Sequence, residues 1–321
     1  MWKRTEDEAE GGSVARIPLG MMAAGILAAA CAGNPPPAPP PPAPALCEIE
    51  RRPGADAPDA ATWLSFLLRG LDPVSKRATV PALDCTGAQV RWDDPALSCQ
   101  EGAFTRTALS GGPLSAHDVL TTPVSQTEML VWITTTRFAS GDAFGPVALV
   151  ETAGPRLRVL AVGPLLAYPQ HARLRLERLG DRRVLVAEGE LCGSADVATC
   201  QRAARIVLLR GDRFVPEPLV GDGGQCLSPA WFELVRREQR RAGSRWERVE
   251  LISSLAFSPG GLTIDEQVVV QDLGTNSGGA PARVVHRAQS RRTVRWANDR
   301  LVDSGASLWS RMAIGRANPL R

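Results

Sequence analysis

Cysteine and histidine carry the most reactive side chains in this 321-residue chain, which holds seven of the first and three of the second. The cysteines are Cys31, Cys47, Cys85, Cys99, Cys192, Cys200 and Cys226. With Cys31 set apart, the rest form an even set, the arithmetic of a disulfide framework in an oxidising compartment. Cys192 and Cys200 flank "GSADVAT" between two apolar runs, the spacing of a clasp at a hairpin. Cys85 and Cys99 are the next nearest pair, which leaves Cys47 with Cys226 and would tie the start of the domain to its middle. Each unstrained bridge adds about 2–4 kcal/mol. A structural zinc site needs ligand pairs about two to four residues apart. No cysteine pair here has that spacing, so neither a metal nor another cofactor is expected.

The histidines offer little catalysis. His117 sits in "AHD" beside Asp118, but sequence neighbours point in different directions, and no nucleophile motif accompanies them. His171 and His286 stand alone. The chain has no G-x-S-x-G, no H-E-x-x-H, no P-loop and no G-x-G-x-x-G opening a helix. All three histidines are therefore read as structural or surface residues, and no catalytic residue is named. Asp93 and Asp94 in "RWDDP" could ligate calcium or form an acid/base pair, yet the ordered oxygen spacing of a calcium loop is missing. A turn cap is the simpler reading. Asp265 and Glu266, at a strand start, read as an exposed face or as partners of arginine.

Other stretches carry a functional and a bland reading side by side. "RGD" at Arg210–Asp212 spells an adhesion motif, but Gly-Asp between apolar runs is turn chemistry. "RREQRRAGSR" (236–245) is the one basic cluster; it reads as a strand end and hairpin turn, with anion or lipid-headgroup contact as its functional alternative. Trp132, Trp231, Trp246, Trp296 and Trp309 could stack on sugars, though tryptophan mostly fills cores. Net charge is only +3, and arginine alternates with Asp and Glu along most segments, so no nucleic-acid partner is expected.

These residues must be positioned by a mainly β domain. "PDAATWLSFLLRG" predicts one early helix near 59–70, with Asp59 as cap, Gly70 as terminator, and Trp63, Phe66, Leu67 and Leu71 on one face. After about Gly112 the pattern turns to strands: "MLVWITTTRF", "PVALVET", "RLRVLAVG", "ARLRLERL", "RRVLVAEGEL" and "ARIVLLRG" come in quick succession. In "ARLRLERL", Leu174 and Leu176 alternate with Arg173, Arg175 and Glu177, a half-buried strand. "LGDRR", "RGDRF", "SPGG" and "ANDR" supply hairpin turns. The two Gly-Asp turns lie 31 residues apart without a sustained period, which argues against regular propeller blades. The expectation is an irregular antiparallel domain over 47–321, meandering, propeller-like or sandwich in layout, and braced by disulfides. With 44% apolar residues it has enough to build a core.

The N-terminus reads as an address. An apolar run from Ile17 to Ala30 follows Arg16 and has the length of a signal-peptide core. Small residues Ala28, Ala29 and Ala30 precede Cys31. This resembles the lipobox of bacterial lipoproteins, with Ala28 where that pattern usually has Leu. Glu6, Asp7, Glu8 and Glu10 outweigh Lys3 and Arg4 ahead of it, which suggests a translation start at Val14. The resemblance implies cleavage after residue 30 and a lipid on Cys31. By the same resemblance, Ala32 rather than Asp after the cysteine implies the outer membrane. Residues 31–46 would then hold the anchor and a tether, since "NPPPAPPPPAPA" favours polyproline II and reaches about 40 Å at roughly 3.1 Å per residue. Cleavage by the ordinary signal peptidase, giving a soluble exported protein, is the alternative.

Together these features lead to an exported envelope lipoprotein, held to a membrane by lipid and acting as a non-enzymatic binding or scaffolding module with envelope proteins as further partners. The alternative is a secreted hydrolase whose active site is dispersed in sequence.

Overall fold

Alternating apolar and polar side chains, interrupted by two-residue turns, shape most of this chain into strands. The computed structural model describes residues 45–51, 58–91, 107–192, 200–275 and 282–314. All of them belong to the unit Ala43–Arg321. The export segment, Cys31, the proline run, Asp93, Asp94 and Cys99 lie outside the described residues.

β1 (Cys47–Glu50) opens the fold, followed by α1 (Ala60–Leu67). Asp59 caps α1 by accepting from the Thr62 N–H at 2.7 Å. The helix buries Trp63, Phe66 and Leu67 as its periodicity requires, and Leu71 packs at the margin of the same cluster. It ends before Gly70, because Leu68 already turns extended and leads into a small sheet of β2 (Leu68–Arg69), β3 (Ala82–Asp84) and β4 (Gln89–Val90). A capped 3-10 turn at Ala116–Asp118 precedes β5 (Val119–Pro123), β6 (Glu128–Ile133), β7 (Thr136–Arg137), β8 (Ala143–Glu151) and β9 (Arg156–Ala167). Then come β10 (Gln170–Leu179), β11 (Arg182–Leu191), β12 (Gln201–Arg210), β13 (Arg213–Val215), β14 (Pro218–Val220) and β15 (Cys226–Pro229). Four long strands follow, β16 (Trp231–Ala242), β17 (Arg245–Ser258), β18 (Gly261–Gly274) and β19 (Arg283–Ala297), after which β20 (Arg300–Asp303) and α2 (Leu308–Ile314) complete the described fold.

β1 and β5 to β20 join in one barrel-like system. Its ladders branch rather than run once around a ring. β1, β9, β8, β6 and β5 form one antiparallel series. β10, β11, β12, β16, β17, β18, β19 and β20 form a second. β13 links them, pairing antiparallel with β12 and, at Arg213–Val162, parallel with β9. β14 pairs parallel with β20. The antiparallel expectation therefore holds with two short parallel exceptions.

The cores explain the shape. Leu130, Trp132, Val147 and Leu165 of the first series pack with Leu174, Leu185, Val207 and Phe214, so the two series lie face to face there. The opposite face of β10–β12 contributes Val184, Ala204 and Ile206 to a cluster with Phe232, Leu262, Ile264, Val294 and Leu301. One sheet can bring β11 and β19 to the same cluster only by curling. Gly163 permits the close crossing of β9 and β13, since a Cβ there would meet the Phe214 carbonyl at 2.1 Å.

Turn chemistry follows the sequence closely. Gly180 and Gly211 take positive φ (64° and 59°) at the first position of their Gly-Asp loops, and Asn298 and Asp299 both do so (51° and 58°), as a two-residue hairpin turn of the I′ kind requires. The "RGD" triplet is thus the turn between β12 and β13.

Cys192 and Cys200 are bridged across the connection between β11 and β12. The other pairing differs from expectation. Cys47 bonds Cys85, not Cys226, and Cys85 is not paired with Cys99. The cause is packing: β1 and the small sheet both lean on the cluster around α1, which brings the two cysteines side by side. Cys226 is also disulfide-bonded. These bridges mark a protein of a non-cytoplasmic compartment. A second helix, α2, was not expected from the sequence. No helix among the described residues is long and apolar enough to cross a membrane.

Candidate functional site

Strand β16 begins where several elements diverge, and a cleft of about 950 Å³ opens there. Opposite Arg202 and Ala203 the β12–β16 register shifts. A bulge of this kind breaks strict alternation, so Glu233 and Arg236 both reach the cleft. One wall carries Tyr168, Arg205, Trp231 and Asp142; the other carries Glu266, Arg292, Asp303 and Trp309.

The second wall is a chain of charge pairs. Arg292 donates to Glu266 at 3.0 Å and also to Asp303. Both carboxylates are nearly inaccessible, at 4% and 3% exposure. Glu266 uses its other oxygen to accept the Leu308 N–H at 2.6 Å, which seats the start of α2. Arg292 also lies 5.6 Å from the Phe232 ring centre. Arg236 donates to Glu233 at 2.6 Å, and its guanidinium lies 4.6 Å from the ring centre of Trp309, a cation–π arrangement. The C-terminal helix thus forms part of the wall, fixed by one buried carboxylate and one stacked arginine.

Electrostatics differ across the site. Burial pushes the Asp303 carboxyl above the usual range, and the nearby Glu266 charge adds to this; Arg292 and the Gly305 N–H pull the other way without prevailing. Burial likewise raises Glu233, aided by Glu238 and Glu266 and opposed by Arg236. On the first wall, Tyr168 and Trp231 meet edge-to-face at 4.9 Å, presenting two aromatic surfaces. Arg205 lies beside Trp231 in register and is 1% exposed. Chemically the cleft offers guanidinium donors, carboxylate acceptors and aromatic faces together.

The residues singled out from sequence scatter. His117 lies in the exposed 3-10 turn, where Asp118 pairs with Arg137 at 2.9 Å and closes a capping box with Ser115. Burial raises the Asp118 carboxyl, but Arg137 and Ser115 outweigh it and hold it below the usual range. His171 is exposed and sits 2.8 Å from Glu190. His286 is exposed on β19. None of the three lines the cleft. Asp265 pairs with Arg291 at 2.6 Å on the outer surface, as an exposed strand face would. Its neighbour Glu266 faces inward and is a central residue of the cleft. Trp231 and Trp309 are in the wall, while Trp132 is fully buried and Trp296 lies beneath Arg182 and Arg210. Among the described residues no cluster of three side chains is arranged to hold a metal ion.

Arg205, Asp142, Glu233, Arg292 and Asp303 were not singled out in the sequence. Arg205 did leave a trace: it interrupts the apolar run "AARIVLL", where a charge in a buried strand demands a reason. No family model matches this chain, and neither does any of the curated proteins or solved structures compared with it.

Proposed function

We propose that this chain is an exported envelope protein, tethered to the outer membrane through a lipid on Cys31, that binds a polar ligand in the cleft at the start of β16. The observation that carries the reading is the cleft's composition: paired arginines and carboxylates beside Tyr168, Trp231 and Trp309, in about 950 Å³. Such a surface suits a ligand with apolar ring faces for the aromatic side chains and with hydroxyls and charges for the polar ones. Sugar–peptide fragments of a bacterial cell wall have that chemistry.

A second reading, a secreted glycan hydrolase, has its own support. Glu233 and Asp303 hold protons more tightly than usual, as a general acid needs, and Glu266 lies near enough to raise both. Binding is favoured because each of the three carboxylates is already held by a guanidinium, which leaves none unencumbered to activate a water.

Titration with purified muropeptides, followed by tryptophan fluorescence and by release of reducing ends, tests both readings. Saturable quenching without new reducing ends is the expected result, with quenching at least tenfold weaker in Trp231→Leu at an unchanged far-UV spectrum. Turnover abolished by Glu233→Gln would establish the hydrolase instead. Absence of any saturable response removes the cleft as a muropeptide site.

A further inference from the structure

The β12–β16 pairing reaches only to Val235 and the β19–β20 pairing begins only at Val294, so between them strands β16 to β19 form a four-stranded arm of the sheet, and its two faces differ in charge. The register sets Arg237, Glu250, Val269 and Arg287 in one row across the arm. It sets Gln239, Arg248 and Gln271 in the next, and Arg241 beside Trp246. Residues directly opposite share a face, so Arg237, Arg241, Arg248 and Arg287 all lie on the outer side with Glu250; the next carboxylate along that side, Asp265, is taken by Arg291. The inner side is balanced: Arg236 pairs with Glu233 and Glu238, Arg240 pairs with Glu247, and α2 packs over Val249, Leu251 and Val268.

On the outer side Arg237 takes Glu250 at 2.6 Å. Among the described residues no ion pair engages Arg241, Arg248 or Arg287. Three guanidinium groups are therefore in excess on one face, beside half-exposed Trp246 and exposed Ile252 (47%). We propose that this outer face docks on an anionic phospholipid bilayer. The arginines do not converge on a point, as a site for one phosphate would require. They are spread over three strand spacings, about 14 Å, which fits an array of headgroups. Guanidinium forks match phosphate oxygens, and Trp246 and Ile252 supply the apolar contact that suits an interface. The inference does not rest on the cleft or its ligand.

The test is co-sedimentation of the full chain with phosphatidylglycerol and with phosphatidylcholine vesicles. A variant carrying Arg241→Glu, Arg248→Glu and Arg287→Glu is compared with a control of equal charge change elsewhere, Arg77→Glu, Arg173→Glu and Arg178→Glu. All proteins share the same N-terminal segment, so its own membrane affinity cancels. At about one decade or slightly less per basic residue, the arm variant is expected to partition roughly a hundredfold more weakly onto anionic vesicles, while the control stays near wild type. The wild-type preference for anionic vesicles should fade with rising salt. Should the reversed arm misfold by circular dichroism, the Arg→Gln triple and the salt series decide. Equal binding to both vesicle types, equal loss in the control, or an arm variant that binds like wild type would overturn the proposal. The last result, with vesicle binding absent throughout, points to an acidic protein surface instead.

Discussion

Charge at single residues decides much of this protein's behaviour, and Glu188 gives the clearest case. Burial opposes its ionisation, but Arg175 and Arg202 donate to its two oxygens and hold its carboxyl below the usual range. A depressed folded-state pKa contributes stability above the unfolded value and loses it as pH falls through the folded one. Because both arginines are partly exposed, the pair interactions are screened, and the contribution at neutral pH is about 1–2 kcal/mol. Glu188→Gln is therefore expected to melt lower than wild type at pH 7, with the gap closing as the medium is acidified below the ordinary carboxylate range. Denaturation across a pH series checks this; a gap that stays constant, or widens in acid, contradicts it. Glu233 and Asp303 have the opposite sign, since their raised values let the folded state keep protons that the unfolded state has released, and stability falls with rising pH over that window. At this scale the sequence was only partly legible. Asp265 and Glu266 are neighbours with the same chemistry, and alternation alone sends one to solvent and the other to the cleft. Their faces follow once the strand's register is known, whereas Glu266's partners Arg292 and Leu308 are 26 and 42 residues away.

At the scale of elements, local signals held and distant ones failed. Asp59 as a helix cap, the Gly-Asp turns and the Asn298–Asp299 turn depend on backbone chemistry within a few residues, so their residues announce them. The clasp from Cys192 to Cys200 belongs to the same class. The Cys47–Cys85 bridge does not: it depends on β1 pairing with β9 while α1 packs against both, and nothing near either cysteine records that. α2 was missed for the same reason, being short and seated by a carboxylate on β18. The two bridges should differ in worth. Closing a loop removes more denatured-state freedom when the loop is longer, and the separations are 38 and 8 residues. Replacing Cys47 and Cys85 together by serine should cost roughly 4 kcal/mol, against roughly 2.5 kcal/mol for Cys192 and Cys200. Urea denaturation of the two double variants measures the difference; an equal or reversed order would show that native-state packing outweighs loop closure.

For the whole molecule, the curled sheet gathers residues from Thr107 to Ser310 into one cleft and leaves the outer face of β16 to β19 basic. The proposed ligand class and the proposed resting surface both assume that the chain is exported and held at a membrane. Disulfides support the non-cytoplasmic part of that account, and the resemblance of the N-terminal segment to a lipobox supplies the tether. The most direct measurement is the intact mass of the mature protein from a bacterial membrane fraction, before and after reduction. The account predicts a chain beginning at Cys31, heavier by its acyl groups, that gains two hydrogens for each disulfide on reduction. An unlipidated chain in the soluble fraction, or a mass unchanged by reduction, would contradict it.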